Sequence, residues 1–210
     1  MFAELFDYPS KEILAKVEST QELINKDYPD AAEILNDFTE FSKVIPLRKW
    51  EEIYTRTFDV QAITTLDVGY VLFGDDYKRG ELLVNLSKEH TKAVNDCKTE
   101  LADHLPNLLR LLNKVNEEDF KYDLIYLIIK PGLKKIIGEF ESRNIEKKNK
   151  IYEKHHRTLI PFENTYGTIY QSPLQSLFLV LNADFTGDQT DIVNDSKVKT
   201  NFANEMEVPD

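Results

Sequence analysis

The sequence contains very little cysteine: Cys97 stands alone among 210 residues. One cysteine cannot form a disulfide bond within the chain, so no disulfide framework can stabilise the fold. A chain of this length can bury a sizeable hydrophobic core without such cross-links. A reducing compartment is the simplest interpretation, and we predict a cytoplasmic protein.

Long apolar runs are also missing. The longest, residues 124–129, contains Tyr126 and is followed directly by Lys130 and Pro131. A membrane-spanning helix needs about 20 consecutive apolar residues, so we expect no membrane insertion. Residues 1–7 have no basic stretch and carry acids between their apolar side chains, which predicts no secretory signal.

Basic residues are scarce relative to acidic ones. The chain has 26 lysines and arginines against 37 aspartates and glutamates, and its formal net charge is −11. Neutralising phosphates requires a basic surface, so we expect no nucleic-acid partner. An acidic surface instead favours basic partners and repels anionic membranes.

Familiar catalytic motifs are absent from the sequence. It has no glycine-rich phosphate loop, no His-Glu-x-x-His and no Gly-x-Ser-x-Gly. The four histidines and Cys97 match no structural zinc spacing. We therefore predict no catalytic residue, no metal and no stably bound cofactor. A small enzyme that uses Cys97 or His104 stays open as an alternative, because a spatially close base cannot be read from sequence.

Glycine and proline are few, at seven and eight residues, and several lie between segments with helical periodicity. That pattern favours long helices over short strands. The sequence predicts an all-α fold, a single bundle of about seven to nine helices over residues 1–182. Residues 183–210 carry seven acids and two lysines with few large apolar groups, which predicts a disordered acidic tail.

Three segments carry the most distinctive side chains. Tyr54 and Phe58 form an aromatic i, i+4 pair on a predicted helix that Asp59 ends. Residues 73–80, Phe-Gly-Asp-Asp-Tyr-Lys-Arg-Gly, predict a loop followed by a helix with an aspartate cap. Residues 100–106 read Glu-Leu-Ala-Asp-His-Leu-Pro.

The segment at residues 100–106 predicts the start of a helix from about Glu100 to Asn113. Its leucines recur at helical spacing and face the core, whereas Asp103 falls on the other side and His104 lies at the edge. We therefore expect Asp103 to face solvent or a groove. The alternative is a purely structural Asp103, stabilised near the positive end of the helix dipole.

These segments resemble the signature of one family, the NarJ/TorD/DmsD redox-enzyme maturation chaperones, in its nitrate-reductase branch. Residues 100–106 are similar to the family's Glu-Leu-Pro-Asp-His-Leu-Pro stretch, with Ala102 where proline is usual. Residues 54–58 resemble its Tyr-x-x-Leu-Phe element, with Thr57 where leucine is common. Residues 5–10 resemble its Leu-x-Tyr-Pro opening, and the whole resemblance covers roughly residues 4–140.

The resemblance implies a system-specific cytoplasmic chaperone that is not an enzyme. Such a protein binds the apo catalytic subunit of a molybdopterin oxidoreductase, nitrate-reductase-like and of the DMSO reductase superfamily, at its N-terminal region or signal peptide. It assists molybdenum-cofactor insertion and assembly before export or membrane docking, and holds no cofactor stably itself.

The resemblance also implies a client-binding groove with carboxylates that pair with basic residues. The expected client-binding residues are Tyr54, Asp59, Glu100, Asp103, His104 and Pro106. The alternative function is a helical protein-interaction scaffold or regulatory module without a molybdoenzyme client.

Overall fold

The structure is a computed structural model that describes residues 1–156 and 166–186. Within these ranges every regular element is helical, and the one extended pairing is an isolated bridge between Asp67 and His104. The all-α prediction is confirmed. The segments are α1 (Phe2–Leu5), α2 (Ile13–Asp27), α3 (Pro29–Val44), α4 (Leu47–Phe58), α5 (Val68–Phe73), α6 (Tyr77–Lys92), α7 (Leu105–Lys114), α8 (Glu118–Asp123), a π-helix (Leu124–Ile129), α9 (Lys130–Gly138), α10 (Ser142–His156) and α11 (Gln171–Asp184).

The described part of the chain has ten helices when the consecutive segments of residues 118–138 are counted as one. Two of them, α1 and α5, have four and six residues. Helices this short do not display the 3.6-residue period, which is why the sequence pattern did not indicate them. Of the predicted acidic tail, residues 187–210 lie outside the described residues.

The chain divides into two compact units. The first comprises Met1–Leu66 and Leu133–Val180, and the second comprises Asp67–Gly132 and Leu181–Asp210. The prediction of one domain over residues 1–182 stays a prediction.

Aromatic side chains form the core of the first unit. Trp50 of α4 and Tyr170 are almost completely buried, and the Trp50 Nε1–H donates to the Tyr170 hydroxyl at 2.9 Å. Phe38 of α3 lies with its ring centroid 5.7 Å from that of Trp50 and 5.2 Å from that of Tyr170. Large rings at such distances add attraction beyond the area they bury. The apolar face of α4 is therefore its core face.

A proline inside a helix usually kinks or breaks it, but at Pro131 a π-helix precedes the proline and no break follows. The N–H of Lys130 bonds to the carbonyl of Ile125, five residues earlier, and α9 then continues without interruption. Proline cannot donate a backbone hydrogen bond and its ring crowds the preceding turn. The wider π turn gives that ring room, so the helix passes through Pro131.

Gly132 allows α5 to approach this helix closely. A Cβ atom at residue 132 would lie 2.4 Å from Cγ1 of Val68, a fully buried side chain. That separation is far inside van der Waals contact, so any larger residue at this position must displace Val68.

We predict that Gly132→Ala lowers the free energy of unfolding by about 1–3 kcal/mol, because an extra methyl group overpacks this contact. Urea unfolding provides the measurement. Val68→Ala alone should also lower the free energy of unfolding. The loss in the double variant should be smaller than the sum of the two single losses by at least about 1 kcal/mol, because the smaller side chain at residue 68 leaves room for the new methyl group.

Gly80→Ala in α6 is the matched control, because no atom lies within 4 Å of a Cβ built there. It should leave stability unchanged or raise it by up to about 1 kcal/mol, the usual gain from alanine in a helix. Strict additivity of the Gly132 and Val68 substitutions would contradict the proposed contact.

Candidate functional site

Buried polar side chains fix the segment that precedes α7. His90, near the end of α6, is 3% exposed; its Nε2 lies 3.0 Å from the carbonyl oxygen of Ala102 and its Nδ1 2.9 Å from Nδ2 of Asn95. Burial lowers the pKa of His90, which favours the neutral ring. Its partners then require Nε2–H to donate to Ala102 and Nδ1 to accept from Asn95.

Asn107 completes this network from the first turn of α7. Its amide group donates to the carbonyl oxygens of Leu101 at 3.0 Å and Cys97 at 3.3 Å. Both carbonyls lie before α7, which begins at Leu105 and not at Glu100 as predicted. Glu100 lies in a turn closed by a bond from its N–H to Cys97.

Asp103 is fully buried, at 0% exposure, and the prediction that it faces solvent or a groove is wrong. Its Oδ2 accepts a hydrogen bond from Nε of Arg79 at 3.0 Å. Its Oδ1 is buried without a hydrogen-bond partner among the described residues. The helical-wheel reading failed because residue 103 precedes the helix, where side chains do not follow the 3.6-residue period.

Gly69 makes room for this carboxylate. A Cβ atom at residue 69 would lie 2.6 Å from Oδ2 of Asp103 and 2.9 Å from Cδ2 of Leu82. Any side chain here would therefore push Asp103 or Leu82 out of position.

Arg79 connects Asp103 to a second carboxylate. The first turn of α6 positions it, and Asp76 caps that helix as predicted by accepting from the N–H of Lys78 at 2.9 Å. Nη2 of Arg79 donates to Oδ2 of Asp67 at 3.2 Å. The guanidinium carbon also lies 5.2 Å from the ring centroid of Tyr70, a cation–π distance.

His104 contacts the other oxygen of Asp67. Its Nδ1 lies 3.0 Å from Oδ1 of Asp67 and 4.0 Å from the carboxylate of Glu100. The backbone joins the same two segments, since the N–H of Val68 donates to the carbonyl of Asp103 at 3.0 Å. We call Asp67, Arg79, Asp103 and His104 the charged cluster; all four belong to the second unit.

The pKa values of the two aspartates move in opposite directions. Burial raises the pKa of Asp103; the bond from Arg79 opposes this shift and the negative charge of Asp67 adds to it. Burial also favours a higher pKa for Asp67. The hydrogen bond and charge of His104, together with Arg79, outweigh the effect of burial, so the pKa of Asp67 is lowered overall. Although burial lowers the pKa of Arg79, the two carboxylates raise it overall.

The predicted site residues of the second unit have different exposures. Glu100 is exposed, His104 is mostly buried and Asp103 is completely buried. Pro106 is buried in the first turn of α7, where proline fits because the missing N–H would have no helical partner. Pro106 therefore positions the helix start.

Tyr54 and Asp59 belong to the first unit. The Tyr54 hydroxyl donates to the carbonyl oxygen of Phe6 at 3.0 Å, and its ring packs edge-on against Phe58 and Tyr8. Asp59 is exposed at the C-terminal end of α4.

Sequence reasoning missed Asp67, Gly69 and Tyr70, which lie at or within the unpredicted helix α5. Arg79 lies within residues 73–80, where the sequence pattern indicated no role for it. One feature of the sequence could have indicated a role for Arg79: it lies in the first turn of a predicted helix. The helix dipole disfavours a cation at that end, so a nearby carboxylate that compensates for it is expected.

The thiol of Cys97 is half-buried, and burial together with the charge of Asp96 raises its pKa, which disfavours the reactive thiolate. Among the described residues, no three histidine, cysteine, aspartate or glutamate side chains are grouped so that they could hold a metal ion. None of the described helices is both long and apolar enough to cross a membrane.

Neither a comparison with models of known protein families nor a comparison with curated proteins gives a match.

We predict that Asp103→Ala lowers the free energy of unfolding by about 2–4 kcal/mol, because it leaves a largely buried Arg79 with one carboxylate fewer. Urea unfolding measures the loss. Asp75→Ala is the matched control: this exposed aspartate lies in the loop before α6, and its loss should change stability by less than about 0.5 kcal/mol. Equal effects of the two substitutions would contradict a structural ion pair.

We also predict an acid-dependent contribution from Asp67. Because its folded-state pKa is lowered, ionised Asp67 stabilises the fold above its unfolded pKa, and this contribution is lost as pH falls through the folded value. The advantage of the wild type over Asp67→Asn should be present at about pH 5 and shrink below about pH 4.

Urea unfolding of both proteins between these pH values tests this prediction. Asp103 contributes the opposite slope, and because burial is the main cause of its raised pKa, most of this contribution is the same in both proteins and cancels in the difference. A difference that stays constant or grows as the pH falls would refute the stabilising role of ionised Asp67.

Proposed function

We propose that the protein is a cytoplasmic chaperone that binds the apo catalytic subunit of a molybdopterin oxidoreductase and keeps it competent for molybdenum-cofactor insertion. The proposal rests on the resemblance of its motifs to the NarJ/TorD/DmsD family and on one observation about the fold. It assigns to the chain neither a catalytic step nor a cofactor of its own.

The observation is that two of the motif segments, far apart in sequence, meet in the charged cluster. Arg79 comes from residues 73–80, and Asp103 and His104 come from residues 100–106. Asp67 joins the two segments by contacting both Arg79 and His104. Capping a helix does not require residues 73–80 and 100–106 to form a buried ion pair with each other. The contact between the two segments therefore supports the proposal that they act together.

The surface beside the cluster combines apolar and acidic groups. Tyr70 is 43% and Leu101 48% exposed, and the Glu100 side chain is 56% exposed. Tyr70 contacts Arg79 and Glu100 approaches His104, so these groups border the cluster within one unit. An apolar peptide segment with nearby lysine or arginine side chains fits this combination.

The site residues then have distinct roles in the proposal. Glu100 is the acid that contacts the client, and His104 is the polar group next to it. Asp103 supports them from the interior through Arg79 and does not touch the client. Asp59 and Tyr54 stay predicted contacts of the first unit.

Capture of the client tests the proposal. The tagged full-length protein is incubated with extract of its native cell, prepared while molybdopterin oxidoreductases are being made, and bound proteins are identified by mass spectrometry. We expect a catalytic subunit that lacks its molybdenum cofactor. Glu100→Gln should weaken its binding roughly 2- to 5-fold, the range of an exposed charge pair.

Asp75→Asn provides the charge-matched control, since it removes one exposed carboxylate outside the cluster. It should leave capture unchanged, while raised salt should reduce capture by the wild type because screening weakens charge pairing. Recovery of no molybdopterin subunit would refute the chaperone function and leave the interaction scaffold. Equal recovery of cofactor-loaded subunit would refute selectivity for the apo form.

A further inference from the structure

Asp67 holds two different partners with its two oxygens. Oδ2 accepts from Nη2 of Arg79 at 3.2 Å, and Oδ1 lies 3.0 Å from Nδ1 of His104. A carboxylate only accepts hydrogen bonds when ionised, so the nitrogen that faces it must carry a hydrogen atom. Asp67 therefore requires His104 to be either the Nδ1–H form or the doubly protonated cation.

The second ring nitrogen of His104 points away from this carboxylate. Nδ1 and Nε2 are separated by one ring carbon and their hydrogen-bond directions diverge, and Nε2 has no hydrogen-bond partner among the described residues. It is also not one of the fully enclosed, unbonded side-chain nitrogens and oxygens of the described residues. The His104 side chain retains 12% exposure, so Nε2 is the group of this ring that an approaching molecule can reach.

We propose that Asp67 is the positioning residue of His104: it fixes the neutral ring as Nδ1–H and presents Nε2 as a hydrogen-bond acceptor to the basic segment of a bound client. This inference rests on the proposed function for the identity of the partner. The hydrogen bond of one ring nitrogen sets the state of the other, so the Asp67 carboxylate controls which form of the His104 imidazole is present.

The rest of the charged cluster fixes Asp67 in turn. Arg79 is held by the buried carboxylate of Asp103, and the bridge between the backbones of Asp67 and His104 sets the distance between the two side chains. The order of support is thus from Asp103 to Arg79, to Asp67, to His104. Each step is a direct contact of 3.2 Å or less.

The chemistry of the partner follows from what faces His104. The neighbouring charged groups are the carboxylates of Asp67, Glu100 and Asp103, and the guanidinium of Arg79, which is already paired with two of them. A neutral Nε2 accepts but cannot donate. The ligand group is therefore a cationic donor, the ammonium of lysine or the guanidinium of arginine, which donates to Nε2 and is attracted by the neighbouring carboxylates.

The state of the His104 ring is measured first, by NMR of the ¹⁵N-labelled and ¹³C-labelled protein without any partner. At a pH where the ring is neutral, the wild type should be in the Nδ1–H form. Asp67→Ala should give the tautomer mixture of an unrestrained imidazole, while Asp75→Ala should leave the Nδ1–H form intact. A wild-type ring mainly in the Nε2–H form overturns the inference, and this measurement needs neither a variant nor a client.

Binding then separates positioning from general structural damage. The probe is the N-terminal peptide of the captured catalytic subunit, titrated calorimetrically into wild type, Asp67→Ala, His104→Asn and the double variant. Asp67→Ala should weaken binding about 2- to 10-fold, the range of one hydrogen bond. In the His104→Asn background the same substitution should cost little, because no Nε2 remains to be positioned.

Two results would overturn the inference on the binding side. One is that Asp67→Ala reduces the peptide affinity equally in the wild-type and the His104→Asn backgrounds, which indicates a structural role for Asp67. The other concerns His104→Gln, whose side-chain amide reaches the position of Nε2. The inference is overturned if this variant binds the peptide no better than His104→Asn does. Failure to capture any subunit, with the Nδ1–H form present, refutes the proposed function and leaves the positioning of His104 standing.

Discussion

The ion pair between Arg79 and Asp103 is the interaction on which the other contacts of the charged cluster depend. A fully buried carboxylate loses its hydration, and only a close cation with good hydrogen-bond geometry offsets that cost. Arg79 supplies this cation from the first turn of α6, and Gly69 leaves the space in which the carboxylate lies. The pair thereby attaches the segment before α7 to α5 and α6.

The cluster is not arranged for the greatest stability. One oxygen of Asp103 has no partner among the described residues, and burial raises the pKa of this group while that of Asp67 is lowered. Opposed pKa shifts on neighbouring carboxylates occur both at functional sites and in structural ion-pair networks. In the proposed chaperone, the cluster holds His104 in a fixed position beside the exposed Glu100, so that a basic client segment meets a rigid acceptor.

Much of the fold could be predicted from particular residues. The apolar face of α4 and the cap at Asp76 follow from local spacing, and both are observed. Pro131 does not break the helix, because a π-helix precedes it, and Gly132 next to it leaves space for Val68. Local rules identify a residue that disfavours regular helix, but the neighbouring helix determines whether the chain breaks there or adapts.

The sequence by itself determined the helical class, the acidic surface and the motif segments, because periodicity, net charge and residue spacing are local or additive properties. Only the tertiary structure decided that Asp103 is buried, that α7 starts after it, and that Asp67 and Arg79 connect two motifs. Those features depend on contacts between residues 24 and 37 positions apart. No local pattern specifies which distant side chain will neutralise a buried carboxylate, since that choice is made by packing.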